Sequence, residues 1–239
     1  METDMRGTPI LRRLTEAVAS LFDEDERVAE VIARILLTGK ARVFHDDMVS
    51  LANNLVGVKG AELLAREAAM AMVRWRLMLP VRSVHGRGLA WEHRLGVPRA
   101  GEAYEVPRCI AYAFEGLASR STWDWRSGVK EYMKRIGESH GDIVLRVIEG
   151  VVARSYSKHL TNASTIREAC RRYGYPKSVG SLIAELKGGG IISPCLGLSF
   201  ILSRLAMDDR VRGLCRGAPI YELNKALFVL EAPAGYRYR

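Results

Sequence analysis

With 239 residues, of which 48% are hydrophobic, the chain can bury the core of one large domain or two smaller ones, and its composition excludes a disordered polymer. Lys and Arg outnumber Asp and Glu, 36 to 27, for a formal net charge of +9. The excess is uneven, −3 over residues 1–73, +5 over 74–139 and +7 over 140–239, which points to a polyanionic partner for the later part of the chain. No apolar run reaches the roughly 18 residues needed to span a bilayer, and the first residues do not read as a signal peptide. The expectation is a soluble, cytoplasmic protein with no membrane partner.

The chain has no glutamine and only four asparagines, a depletion that suggests a thermophilic source. Four cysteines at 109, 170, 195 and 215 contain no CxxC pair, so they read as scattered thiols and no metal or cofactor is expected. No GxxxxGK or GxGxxG loop is present. His45-Asp46-Asp47 could be written as an acid–base or metal cluster, but helix capping accounts for the aspartates. The reading is therefore of a protein that is not an enzyme.

In chain order, Thr8 caps and Pro9 opens a first helix with Ile10, Leu11, Leu14, Val18 and Leu21 on one face. Acidic residues 23–26 start a second, carrying Val28, Val31, Ile32, Ile35 and Leu36 and ending near Gly39. Arg42–Phe44 reads as a short strand, followed by a helix capped by Asp46 or Asp47 that runs to Leu55, with a turn at Gly57. A longer helix is expected from Gly60 to about Met78. His85–Gly88 suggests a hairpin turn, and residues 103–114 a strand. Residues 116–140 read as a connector with a helix near Val129–Ile136, in which Trp123 and Trp125 anchor the flanking domains.

A helix is expected over Asp142–Tyr156, and Thr165-Ile166-Arg167-Glu168 has the pattern of a capping box that opens the next one. That helix buries Ile166, Ala169, Cys170 and Tyr173. Ser178 caps a further helix whose Val179, Leu182, Ile183 and Leu186 share a face, and Gly188-Gly189-Gly190 stops it. Ile191-Ile192 starts a strand limited by Pro194, 198–214 is apolar enough for an inserted helix, and Ile220–Leu223 is a return strand.

The two halves can be superposed as an internal repeat. Residues 75–81 match 187–194, with Pro80 on Pro194, and 103–114 match 220–231, with Tyr104-Glu105-Val106 on Tyr221-Glu222-Leu223. Three helical patterns precede each copy in the same order.

Over roughly residues 24–231 this arrangement resembles the winged-helix superfamily, with GGGIISP and YELN as the strands framing a wing. The resemblance implies a mainly α fold with small β-wings (α+β) and two tandem winged-helix domains. Their expected divisions are an N-terminal helix at 1–23, a first domain at 24–115, a connector helix at 116–140 and a second domain at 141–239. Chains of this kind are similar to plasmid replication initiators, archaeal winged-helix initiators and general transcription factors of the TFIIE type.

The implied function is binding of double-stranded DNA in replication initiation or transcription regulation. Helix 178–187 would enter the major groove with Ser178, Ser181 and Lys187, and Lys177 would meet phosphate. Arg167, Arg171 and Arg172 would hold the backbone, and Arg204, Arg210, Arg212 and Arg216 would form a basic wing. Lys59, Arg66, Arg74, Arg76, Arg82 and Arg87 are the counterparts in the first domain. Glu185 is expected outward, on a nearly uncharged recognition face. The alternative is a protein–protein assembly module docking on a transcription, replication or chromosome-organising complex.

Overall fold

A computed structural model of the chain describes residues 9–81, 90–91, 98–120, 123–155, 159–195 and 218–228. It is mainly helical, with two small antiparallel sheets. The first half runs α1 (Pro9–Phe22), α2 (Glu26–Leu37), β1 (Arg42–Phe44), α3 (His45–Val56), α4 (Val58–Trp75), β2 (Leu79–Pro80), β3 (Ala103–Glu105) and α5 (Arg108–Arg120). The second runs α6 (Trp125–Arg135), α7 (Gly141–Arg154), β4 (Leu160–Asn162), α8 (Ala163–Tyr173), α9 (Val179–Gly188), β5 (Ile192–Pro194), β6 (Ile220–Leu223) and a single turn, α10 (Lys225–Phe228).

Both sheets place the last strand in the middle, in the orders β1-β3-β2 and β4-β6-β5. The register follows the expected matching: Pro80 lies opposite Tyr104, and Pro194 opposite Tyr221. Backbone bonds repeat with it. Val81 N to Ala103 O (2.8 Å) corresponds to Cys195 N to Ile220 O (2.9 Å), and Leu77 N to Met72 O (2.8 Å) to Ile191 N to Leu186 O (2.9 Å). His45 N to Glu102 O (2.9 Å) corresponds in the same way to Ala163 N to Pro219 O (3.0 Å).

The helices form where apolar spacing gives one buried stripe. In α2, Val28, Val31, Ile32, Ile35 and Leu36 are all buried, and Asp25 caps the start through Arg27 N. In α1, Leu11, Leu14, Val18 and Phe22 face inward while Ile10 stays exposed. Buried residues from both halves join in one apolar core. The connector tryptophans bridge them: the Trp123 ring meets Phe22 of α1 edge-on at 5.9 Å, and Trp125 meets Phe228 of α10 at 5.0 Å.

Several expectations need correction. The strand expected over 103–114 stops at Glu105; Pro107 cannot donate a ladder hydrogen bond, and α5 begins just after it. The connector helix starts at Trp125, where the Asp124 side chain caps Arg126 N and Ser127 N. Helix α8 opens at Ala163 rather than Thr165, because Asn162 Oδ1 already accepts from Thr165 N at 2.8 Å. At α3 the capping position is Phe44, whose N–H donates to Asp47 at 3.1 Å. The hairpin expected at His85–Gly88 and the helix at 198–214 lie outside the described residues.

The repeats lock together through the residues that end α4 and follow β6. Arg76 takes a left-handed conformation (φ 63°) and is 6% exposed. Its Nε and Nη2 donate to the two carboxylate oxygens of Glu222 at 3.1 and 3.2 Å, and Nη1 donates to Val73 O at 2.9 Å. Asn224 Nδ2 donates to Arg76 O (3.1 Å) and to Gly190 O (2.8 Å). Gly190, which corresponds to Arg76, also has a positive φ (73°), and a Cβ there would fall 2.4 Å from Pro107 Cβ.

Candidate nucleic-acid interface

Asn162 starts α8 and Gly174, at φ 69°, ends it. Between them Ile166, Ala169 and Cys170 are buried, which leaves Arg167, Arg171 and Arg172 on the exposed side, as expected. The one acidic residue of this helix, Glu168, is held by Arg154 of α7 at 2.7 Å. Arg167, Arg171 and Arg172 themselves have no carboxylate within ion-pair distance among the described residues; Arg172 lies over the Tyr173 ring at 5.7 Å. Three cations are thus left available to an external anion.

Helix α9 packs on α8 and is capped by Ser178, whose Oγ accepts from Ser181 N at 3.0 Å. Leu182 and Leu186 are buried, while Ser178, Gly180, Ser181, Ala184 and Lys187 are exposed. This outward face is small and carries a single charge, Lys187, which has no ion pair among the described residues.

Two sequence expectations at this helix change. Lys177 does not project freely, because Nζ donates to Glu138 Oε2 at 2.9 Å. Glu138 is a buried carboxylate that also accepts from Tyr175 OH (3.0 Å) and from His140 N (2.8 Å). Burial alone would raise its pKa, but these donors and the Lys177 charge outweigh it and hold the carboxyl below the usual range. Glu185 is not outward: it is half-buried, and its Oε2 has no hydrogen-bond partner among the described residues. Burial, then the neighbouring Glu138 charge, raises its pKa.

Helix α6 supports α9 from behind. Tyr132 OH donates to Glu185 O at 3.0 Å, and its ring lies against Gly189 so closely that a Cβ there would sit 2.5 Å from it. Burial pushes the Tyr132 pKa up to about 12, so it remains a donor. Tyr132 and Glu138 are the residues that sequence reasoning missed; they reach Glu185 of α9 and Lys177 just before its cap across 53 and 39 positions, and no local spacing signals such contacts.

The first-half candidates are differently placed. Lys59 is exposed on α4, but Arg66 pairs with Glu62 at 3.5 Å and Arg74 pairs with Glu24. Arg76 is corrected outright: it is buried on Glu222 and is not available to phosphate. The outward side of α4 instead carries Val58, Leu63 and Met70, which are 81, 63 and 55% exposed. Arg82, Arg87, Arg204, Arg210, Arg212 and Arg216 lie outside the described residues.

A protein-family model matches residues 24–232, and the chain belongs to that family, whose model carries no description of activity. No curated protein and no solved structure matches the chain. No described helix is long and apolar enough to cross a membrane.

Proposed function

We propose that the chain is a tandem winged-helix protein whose second repeat binds double-stranded DNA, in replication initiation or transcription regulation. The observation that carries this reading is the set of exposed, unpaired cations on α8 and α9: Arg167, Arg171, Arg172 and Lys187. The helix–strand–helix–helix–strand–strand order, with the last strand central in each sheet, supports the winged-helix part. In that arrangement α9 is the helix offered to the major groove, where its small outward face permits close approach. Most of the affinity comes from phosphate neutralisation by the arginines, so binding falls steeply with salt.

The first repeat is the poorer DNA surface. Its Arg66 and Arg74 are matched by Glu62 and Glu24, its Arg76 is buried on Glu222, and its α4 presents large apolar side chains. That observation favours protein contact for this half, in keeping with an assembly role.

The test is a mobility-shift titration against duplex DNA at two salt concentrations. Binding that weakens with salt, and weakens further in Arg171→Glu/Arg172→Glu, supports the reading. Absence of binding below micromolar concentration at low salt would remove it.

A further inference from the structure

The exposed side of α4 is unusual in both its apolar and its charged residues. Large apolar side chains that stand this far into solvent mark contact surfaces when they cluster. Val58, Leu63 and Met70 account for half of the six large hydrophobic residues exposed among those described. Leu63 and Met70 are seven positions apart and so lie on one stripe of the helix. Lys59, Glu62, Arg66 and Glu67 are exposed around them. Glu62 and Arg66 face each other at 3.5 Å, whereas Lys59 and Glu67 have no ion pair among the described residues.

We propose that this face is where a second copy of the chain docks, α4 against α4 in antiparallel orientation about a two-fold axis near Leu63. Charge complementarity selects that occupant. Reversing the helix about this point brings Lys59 of one copy to Glu67 of the other, twice, while Glu62 keeps its partners Arg66 and His45 within its own copy. The same reversal sets Leu63 against its own counterpart at the centre of the contact. A parallel pairing would set like charges together, Lys59 on Lys59 and Glu67 on Glu67. The patch carries two cations and two anions, so it is matched to itself rather than to a strongly acidic or basic partner. A two-fold interface needs this self-complementarity, because residue i meets j and j meets i. Helix α4 corresponds in the repeat to α9, so the first copy of the unit would be turned to assembly while the second keeps its cations free.

The inference does not depend on DNA binding, and its test reads mass. Light scattering on the full chain, over concentrations up to about 100 μM (roughly −5.5 kcal/mol as a dissociation constant), should give twice the 26.6 kDa chain mass. Leu63→Glu, a change at an exposed site, should return the chain to monomer with a melting temperature equal to that of the unsubstituted chain diluted to monomer. Lys59→Glu and Glu67→Lys should each raise the dimer dissociation constant several-fold, since each sets like charges face to face. The double exchange should restore it, because the pairs then re-form with reversed sign. A monomer throughout this range, a dimer indifferent to Leu63→Glu, or a double variant no tighter than the singles would each overturn the proposal. So would a monomer in which Glu67→Lys tightens binding to duplex DNA, which would assign α4 to nucleic acid.

Discussion

The ends of α4 and α9 occupy the same place in the two repeats and are built from opposite residues. Both repeats turn there through a left-handed backbone conformation, at Arg76 (φ 63°) and at Gly190 (φ 73°). Glycine adopts that conformation freely; an L side chain costs about 1 kcal/mol or more. The first repeat accepts the strain because Arg76 does a second job: it anchors the buried Glu222 from the other repeat. The second repeat needs glycine because Pro107 fills the space where a side chain would begin. Asn224 bonds the carbonyls of both turns, so one residue ties the two solutions together. Duplicated topology therefore does not mean duplicated chemistry: one joint holds the halves together, and the other closes against the half that precedes it.

Removing the guanidinium is the most damaging way to break this comparison. Arg76→Ala leaves Glu222 buried without its partner and should cost about 3–5 kcal/mol in denaturant unfolding. Arg76→Gly should be milder by about 1 kcal/mol, since glycine relieves the backbone strain. Adding Glu222→Gln to Arg76→Gly should recover part of the loss. Equal losses for Ala and Gly would show that the left-handed turn is unimportant here.

Next in size is Gly190→Ala. The new methyl meets Pro107 at a non-permitted distance on a positive φ, and the expected destabilisation is roughly 2–3 kcal/mol. A neutral result would mean that the two repeats separate easily.

The charge comparison gives a smaller free-energy effect with a clearer readout. Arg171→Glu/Arg172→Glu should weaken duplex binding at least about tenfold, roughly 1.4 kcal/mol, for all sequences alike. Arg66→Glu, on the helix of the first repeat that corresponds to α9, should change it less than about twofold. Similar losses from both would erase the division between repeats.

The acid limb of stability offers a further, modest test. Glu138 has a depressed pKa in the folded state, so its stabilisation is present above the ordinary carboxylate value and is lost as pH falls through the folded value. Glu185 is raised, so ionising it above the ordinary value works against folding. Glu138→Gln should flatten the fall of melting temperature toward acid, while Glu185→Gln should raise it near neutral pH. Opposite signs would show that the two carboxylates are not placed as described.

The sequence made the repeated architecture legible because its markers are local: Pro80 and Pro194, Tyr104 and Tyr221, the Ser178 cap and the glycine stop. It also placed Arg167, Arg171 and Arg172 correctly, since the spacing of Ile166, Ala169 and Cys170 fixes the opposite face. It misread residues 106–114 as strand because Val106, Ile110 and Phe114 are compatible with either period, and only the tertiary packing of α5 against α6 decides. Arg76, Lys177 and Glu185 were misplaced for a related reason. Their orientations are set by Glu222 and Glu138, which lie far away along the chain, so their local context reads as ordinary solvent-facing helix. The apolar side of α4 was hidden by the adjacent pair Leu63-Leu64, of which only Leu64 can be buried.

The central claim is that the cations of the second repeat are free for phosphate. Fluorescence anisotropy of a labelled duplex, titrated with the full chain over a series of salt concentrations, measures this most directly. The account predicts a steep log–log salt dependence whose slope falls by about two in Arg171→Glu/Arg172→Glu and stays unchanged in Arg66→Glu. A flat salt dependence, or a slope that does not respond to the α8 arginines, would contradict it.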